Sequence, residues 1–198
     1  MIYRVPFVEG SFNGIFSMLR SQSNMFHIVA NNLIVGIGTC AGTLFKSGHA
    51  SYLADGDSTT AVFSKEGSGS SMIIIFTKHR IQLSGISLAR PTACGFPRVM
   101  SIEGLNSEAS WEEIALLNDI NLPTGGSNSF SIESQKFYQQ IRLRQISNSV
   151  NTNDFYLREA ELFGSLVDCD DFIKEKSPIK SSYIFINIII TLNNTALL

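Results

Sequence analysis

Cysteine is scarce in this chain. Three stand in 198 residues, at Cys40, Cys94 and Cys169, and no two form a CxxC pair. That spacing argues against a thiolate zinc site, and an odd count speaks against a secreted disulfide framework and for a reducing compartment. Charge is also thin: 16% of residues carry it and the net is −2, so no basic stripe exists to neutralise phosphates. Nucleic acid is therefore not an expected partner. Long apolar runs are missing as well. Tyr183–Leu192 ("YIFINIIITL") has ten residues, and onward to Leu198 the run is broken by Asn193 and Asn194. A membrane span needs about 20 residues, so an extra strand or an appendage is expected there. The start, "MIYRVPFVEGSF", lacks an apolar core followed by small residues, so no signal peptide is read and a cytoplasmic location is slightly favoured.

Catalytic signatures are absent too. His27, His49 and His79 have no second ligand at i+4, and neither HExxH nor GxSxG occurs. Cys94 lies between Arg90 and Arg98 but has no histidine beside it in the sequence, and a lone loop cysteine is more often inert. Glu112 and Glu113 are adjacent on an expected strand, so they point to opposite faces and do not form an acid–base couple. The expectation is a protein that is not an enzyme.

What is present is β-rich. Hydrophobic residues make up 44% of the chain, enough to bury a full core. In Ser11–Arg20, Phe12, Ile15, Phe16 and Leu19 keep helical spacing, with Ser11 where an N-cap would sit. From about residue 28 the period changes to short β-branched and aromatic segments such as "SMIIIF", "RIQLSGISLA" and "FYQQIRLRQI". In Ile141–Ile146 the apolar residues lie two apart until the last step. Clusters such as "LADGDSTT" and "NLPTGGSN" separate the segments as turns. Eight or nine such short strands, with almost no long helical pattern beyond the short N-terminal helix, imply an all-β sandwich or barrel. The expected division is 1–27 as an extension, 28–165 as the sandwich, and 166–198 as a tail. Trp111, the single tryptophan, starts a strand after the turn "EGLNSEAS"; its ring is expected to cap one end of the core, with a partner there for the indole N–H.

Four pieces in this order resemble the discoidin or coagulation-factor C-type domains of the galactose-binding-like jelly rolls. "IEGLNSEASW" (Ile102–Trp111) matches that family's middle strand at Glu103, Gly104, Asn106 and Trp111. "YQQIRLRQ" (Tyr138–Gln145) and "REAELFG" (Arg158–Gly164) look like its closing strands, and "ADGDSTT" (Ala54–Thr60) like its aspartate turn. Leu105 departs from the usual Ser or Asn, and no cysteine precedes the first strand to pair with Cys169.

The resemblance implies an all-β fold, an eight-stranded antiparallel jelly-roll β-sandwich with a short N-terminal helix, and a non-catalytic module that recognises a carbohydrate or cell-surface ligand through loops at one end of the sandwich. Those loops correspond to Ala41–Ser51, Lys65–Ser71 and Ala89–Arg98. Their candidate ligand-binding residues are Phe45 and Phe96 as flat apolar faces and Lys46, His49, Arg90 and Arg98 as directional donors. Relatives that bind fucose use one His and two Arg from comparable loops, which His49, Arg90 and Arg98 echo. Phenylalanines packed inward in ordinary loops account for the same pattern. Relatives also hold a structural calcium at the aspartate turn, which implies Asp55, Asp57, Thr60 and Glu161 as ligands. A glycine-bearing turn whose aspartates bond the local backbone explains the first three equally. Leu44–Phe45 is the only candidate for membrane insertion, and the net charge offers little attraction to anionic lipid, so membrane contact is not expected. The alternative reading is an intracellular protein–protein interaction or scaffold domain.

Overall fold

The computed structural model describes residues 2–20, 26–30, 36–40, 43–47, 49–63, 70–90, 95–150 and 155–170, with the backbone alone for 29, 30, 36–40 and 43–47. In chain order the elements are β1 (Ile2–Val5), α1 (Ile15–Leu19), β2 (Phe26–Ala30), β3 (Gly36–Cys40), β4 (Thr43–Ser47) and a 3₁₀ turn (Ala50–Ala54). There follow β5 (Val62–Phe63), β6 (Ser71–Phe76), β7 (His79–Ala89), β8 (Pro97–Leu105) and β9 (Trp111–Leu117). The last are β10 (Ser127–Ser131), β11 (Gln140–Asn148), β12 (Tyr156–Leu157) and β13 (Glu159–Asp168).

Two antiparallel sheets, ordered β1-β13-β7-β10 and β2-β6-β11-β8-β9, make the expected jelly-roll sandwich. Leu83, Ile86, Leu88 and Leu162 of the first sheet meet Met72, Ile74, Met100, Ile102, Ile141 and Leu143 of the second in one core. Alternation places them: on β11 Ile141 and Leu143 are buried while Arg142 and Arg144 stand on the outer face. The pattern breaks at Ile146, which is 50% exposed, because the register against β8 shifts between Gln145 and Ser147.

Within residues 1–27, expected as an extension, β1, α1 and the start of β2 belong to the sandwich. β1 pairs with β13 from Ile2↔Val167 to Val5↔Gly164, and Ile15, Phe16 and Leu19 of α1 lie in the core. The helix is shorter than its apolar spacing suggests. It begins after Gly14, and Ser11 instead accepts the Asn13 amide within its own turn. β13 runs past the expected boundary, still pairing Asp168 with His79. Tyr183–Leu192 lies outside the described residues. No helix among the described residues is long and apolar enough to cross a membrane.

Trp111 opens β9 as expected, but its ring is not in the core. It lies on the outer face of the five-stranded sheet with the Arg142 guanidinium carbon 4.4 Å from its centre. Beside it Glu103, 5% exposed, takes hydrogen bonds from Arg142 and Arg144, while Ser101 Oγ bonds Glu113 at 2.9 Å. Burial pushes the Glu103 carboxyl up, but the hydrogen bonds and charges of both arginines outweigh it and hold the group below its ordinary value of 4.5. A depressed carboxyl stabilises the fold above the ordinary value, and that contribution is lost as pH falls through the native value. Thermal melts of Glu103→Gln are therefore expected to show a loss of roughly 2–4 kcal/mol at pH 7. The gap to wild type closes as pH drops from 5 toward 2. An equal gap at both pH values would contradict this assignment.

Candidate functional site

The strands β7, β9 and β11 finish at one end of the sandwich, where β8, β10 and β13 begin. Arg90 follows β7 and Arg98 stands near the start of β8, so the topology brings both to this loop end. They hold the two sides of one loop, residues 118–126. Arg98 Nη2 donates to Asp119 Oδ1 at 3.1 Å and its carbonyl accepts the Ile120 amide, while Arg90 donates to Thr124 Oγ1 and its amide bonds the Gly126 carbonyl. Arg158, which composition gave no reason to single out, adds a third guanidinium by donating to the Gly125 carbonyl at 3.2 Å. Asp119 itself turns the loop at φ 50.

The arginines differ in character. The Arg98 side chain is 53% exposed and its ion pair is open to water, worth little by itself and free to exchange for a ligand. Arg90 is partly covered, and that desolvation pulls its guanidinium below the ordinary value. Its guanidinium carbon lies 4.7 Å from the Phe96 ring centre.

Phe96 does not serve as an open apolar platform. Its side of the loop is pinned by reciprocal bonds with Ser149, and the residue is 7% exposed, packed into the core beneath Arg90. The inward packing that an ordinary loop would give is what the structure shows. His49 is exposed at the start of the 3₁₀ turn, edge-on to Tyr52 with 5.6 Å between ring centres. Asp55 closes that turn, and Gly56 after it lies against the Arg20 guanidinium, which reaches Glu159 at the head of β13 at 3.6 Å, so the turn belongs to the same end. Phe45 and Lys46 stand on β4 of the β3–β4 hairpin, and their side chains lie outside the described residues, as does Cys94.

The four side chains implied as calcium ligands all have protein partners. Asp55 Oδ1 accepts the Asp57 amide at 2.9 Å, Asp57 Oδ1 accepts the Thr59 amide at 2.8 Å, and Thr60 Oγ1 donates to Asp55. The turn is thus closed by its own side chains. The Arg20 guanidinium lies against the turn: a Cβ on Gly56 would run into it, and it also reaches Glu159 at 3.6 Å. Glu161, fully buried, is occupied elsewhere. Its Oε1 accepts the amides of Phe16 (2.7 Å) and Leu162 (3.0 Å), and its Oε2 that of Ser17 (2.9 Å). Burial raises its carboxyl, and those amide bonds offset part of the rise. Among the described residues no three His, Cys, Asp or Glu side chains gather as a metal site.

No family model matches the chain, and no curated protein does. Solved structures do. The chain is similar to the family 32 CBM, a carbohydrate-binding module, from Clostridium perfringens NanJ in complex with galactose, at 16% identity over 79% of this chain and 99% of that one, TM-score 0.53. It is also similar to the module CpGH89CBM32-5 from C. perfringens in complex with GalNAc-β-1,3-galactose: 11% identity, 70% and 95% coverage, TM-score 0.54. A family 89 glycoside hydrolase from that organism matches over only 14% of its own length, at 18% identity, with 71% of this chain covered and TM-score 0.53. The chain has the discoidin-type, galactose-binding-like jelly-roll fold of these modules.

Proposed function

We propose that this chain is a non-catalytic carbohydrate-binding module whose loop end holds a saccharide through Arg90, Arg98 and His49, with Phe45 and Lys46 contributing from the β3–β4 hairpin. The observation that carries the reading is the pair of guanidinium groups fixed on one loop, one anchored and one open to solvent, at the rim of this fold. A planar guanidinium with several fixed donors suits the paired hydroxyls of a sugar ring. The neighbours with the same fold were solved with galactose and with GalNAc-β-1,3-galactose, which supports the ligand class. Phe96 has no part in contact with the ligand here; it supports Arg90 from below.

On a glycan array the purified protein is expected to bind saccharide. Arg98→Ala should then weaken the best ligand by about 1.5–3 kcal/mol, tenfold or more, without changing the melting temperature. No binding to any saccharide would overturn the reading. A protein partner is the second reading, favoured by Leu116 and Ile146, 43% and 50% exposed on the outer face of the five-stranded sheet.

A further inference from the structure

At the opposite end of the sandwich, the turn after β8 and the segment before β11 face each other across a cleft of about 550 Å³. Tyr138 builds its floor. Its backbone exchanges two hydrogen bonds of 2.8 Å with Ile81 of the four-stranded sheet, and two residues later the chain enters the five-stranded one. Its ring rests on Gly104, where any Cβ would run into it. The glycine of "IEGLNSEASW" is thus the seat of an aromatic ring.

From that seat the Tyr138 hydroxyl donates to Glu112 Oε1 at 2.7 Å, and the Lys136 ammonium donates to both Glu112 oxygens at 2.9 Å. The tyrosine first, then the lysine, hold the Glu112 carboxyl below its ordinary value. The facing rim is tied down by one side chain. Asn106 Oδ1 accepts the Glu108 and Ser110 amides at 2.9 and 3.0 Å, its Nδ2 donates to Ser110 Oγ at 2.7 Å, and Ala109 holds φ 58. Gln135, Gln139 and Gln140 complete the polar lining, with Arg80 on one side.

The charge of Glu112 is answered inside the cleft by Lys136, so the site does not call for a cationic ligand. What it presents is a set of amides that both donate and accept, around a fixed carboxylate, in a volume typical of small-ligand sites at about 300–1,000 Å³. Hydroxyl groups, each donor and acceptor at once, are the matching chemistry. We infer that this cleft is a second saccharide site, taking a neutral mono- or disaccharide independently of the loop end.

Titration of ¹⁵N-labelled protein with galactose, N-acetylglucosamine and GalNAc-β-1,3-galactose to millimolar concentration tests it by NMR. Saturable shifts are expected at the amides of Asn106, Lys136 and Gln139, unchanged in Arg98→Ala. Glu112→Gln should weaken them at least tenfold and leave any shifts at Arg98 and Asp119 as they were. Silence at residues 105–112 and 135–140 with all three sugars, or equal affinity in Glu112→Gln, would overturn the inference. Shifts confined to the loop end refute this site and leave the proposed function standing; shifts confined to the cleft do the reverse.

Discussion

Replacing Glu161 with alanine is expected to lower the unfolding free energy by about 3–5 kcal/mol. The helix α1 has five residues, too few to hold itself in water, and its N-cap position is Gly14, which has no side chain to offer. A Cβ there would strike the Leu162 carbonyl and Glu161 itself. The carboxylate of Glu161, 145 residues further along the chain, takes over the capping role by accepting the amides of Phe16 and Ser17. Without it three amides lose a partner in a site closed to water. The helix that detaches carries Ile15, Phe16 and Leu19 out of the core. Burying each of those is worth about 1.5–3 kcal/mol, so the helix has reason to stay until its cap is removed. Urea unfolding measures the loss, and hydrogen exchange locates it: the Phe16 and Ser17 amides should exchange at least a hundredfold faster. Glu161→Gln keeps one acceptor but turns an amide donor toward the helix, so it should fall between. A Glu161→Ala protein with unchanged midpoint and protected α1 amides would remove the cap from this account.

How much of this was legible in the sequence divides by range. Local signals read true: the onset of β9 at Trp111, the alternation of Ile141 and Leu143, and the self-bonded turn of Asp55, Asp57 and Thr60 follow from neighbours a few residues away. What failed depended on partners far along the chain. Ser11 has the chemistry of a cap, yet the cap came from Glu161. Trp111 has the size of a core residue, yet on β9 it pairs beside Leu105 on the outer face, where Arg142 covers it. Phe96 was placed in the right loop, but only the Ser149 bonds and the Arg90 guanidinium decide that its ring turns in. The cleft was missed for the same reason. Glu112 was weighed as one of two adjacent carboxylates, whereas its meaning lies with Tyr138, 26 residues away and brought to it by a crossing between sheets.

Among the described glycines, Gly164→Ala is expected to be the most damaging added methyl, costing more than about 4 kcal/mol or preventing folding. At this point β13 and β7 slip register: Phe163 faces Gly85 and Gly164 faces Leu83, leaving Ser84 as the extra residue of a bulge. Ser84 is not idle there, because its carbonyl takes the Ile132 amide as the chain leaves β10. To follow the bulge Gly164 adopts φ 153, and a Cβ would run into the Gln82 carbonyl, which is backbone and has no rotamer to yield. On its other side Gly164 pairs with Val5, so a forced shift would also pull β1 from the sheet edge. The control is Gly10→Ala. Gly10 has φ 73 but nothing within 4 Å of a Cβ, so it carries only the backbone cost, about 1–2 kcal/mol. The difference between the two variants in urea midpoint reads the clash together with the higher backbone cost of φ 153 over φ 73. Equal midpoints would mean that β7 can move aside, and that the bulge does not set the register on which Glu161, three residues earlier, depends to reach the helix.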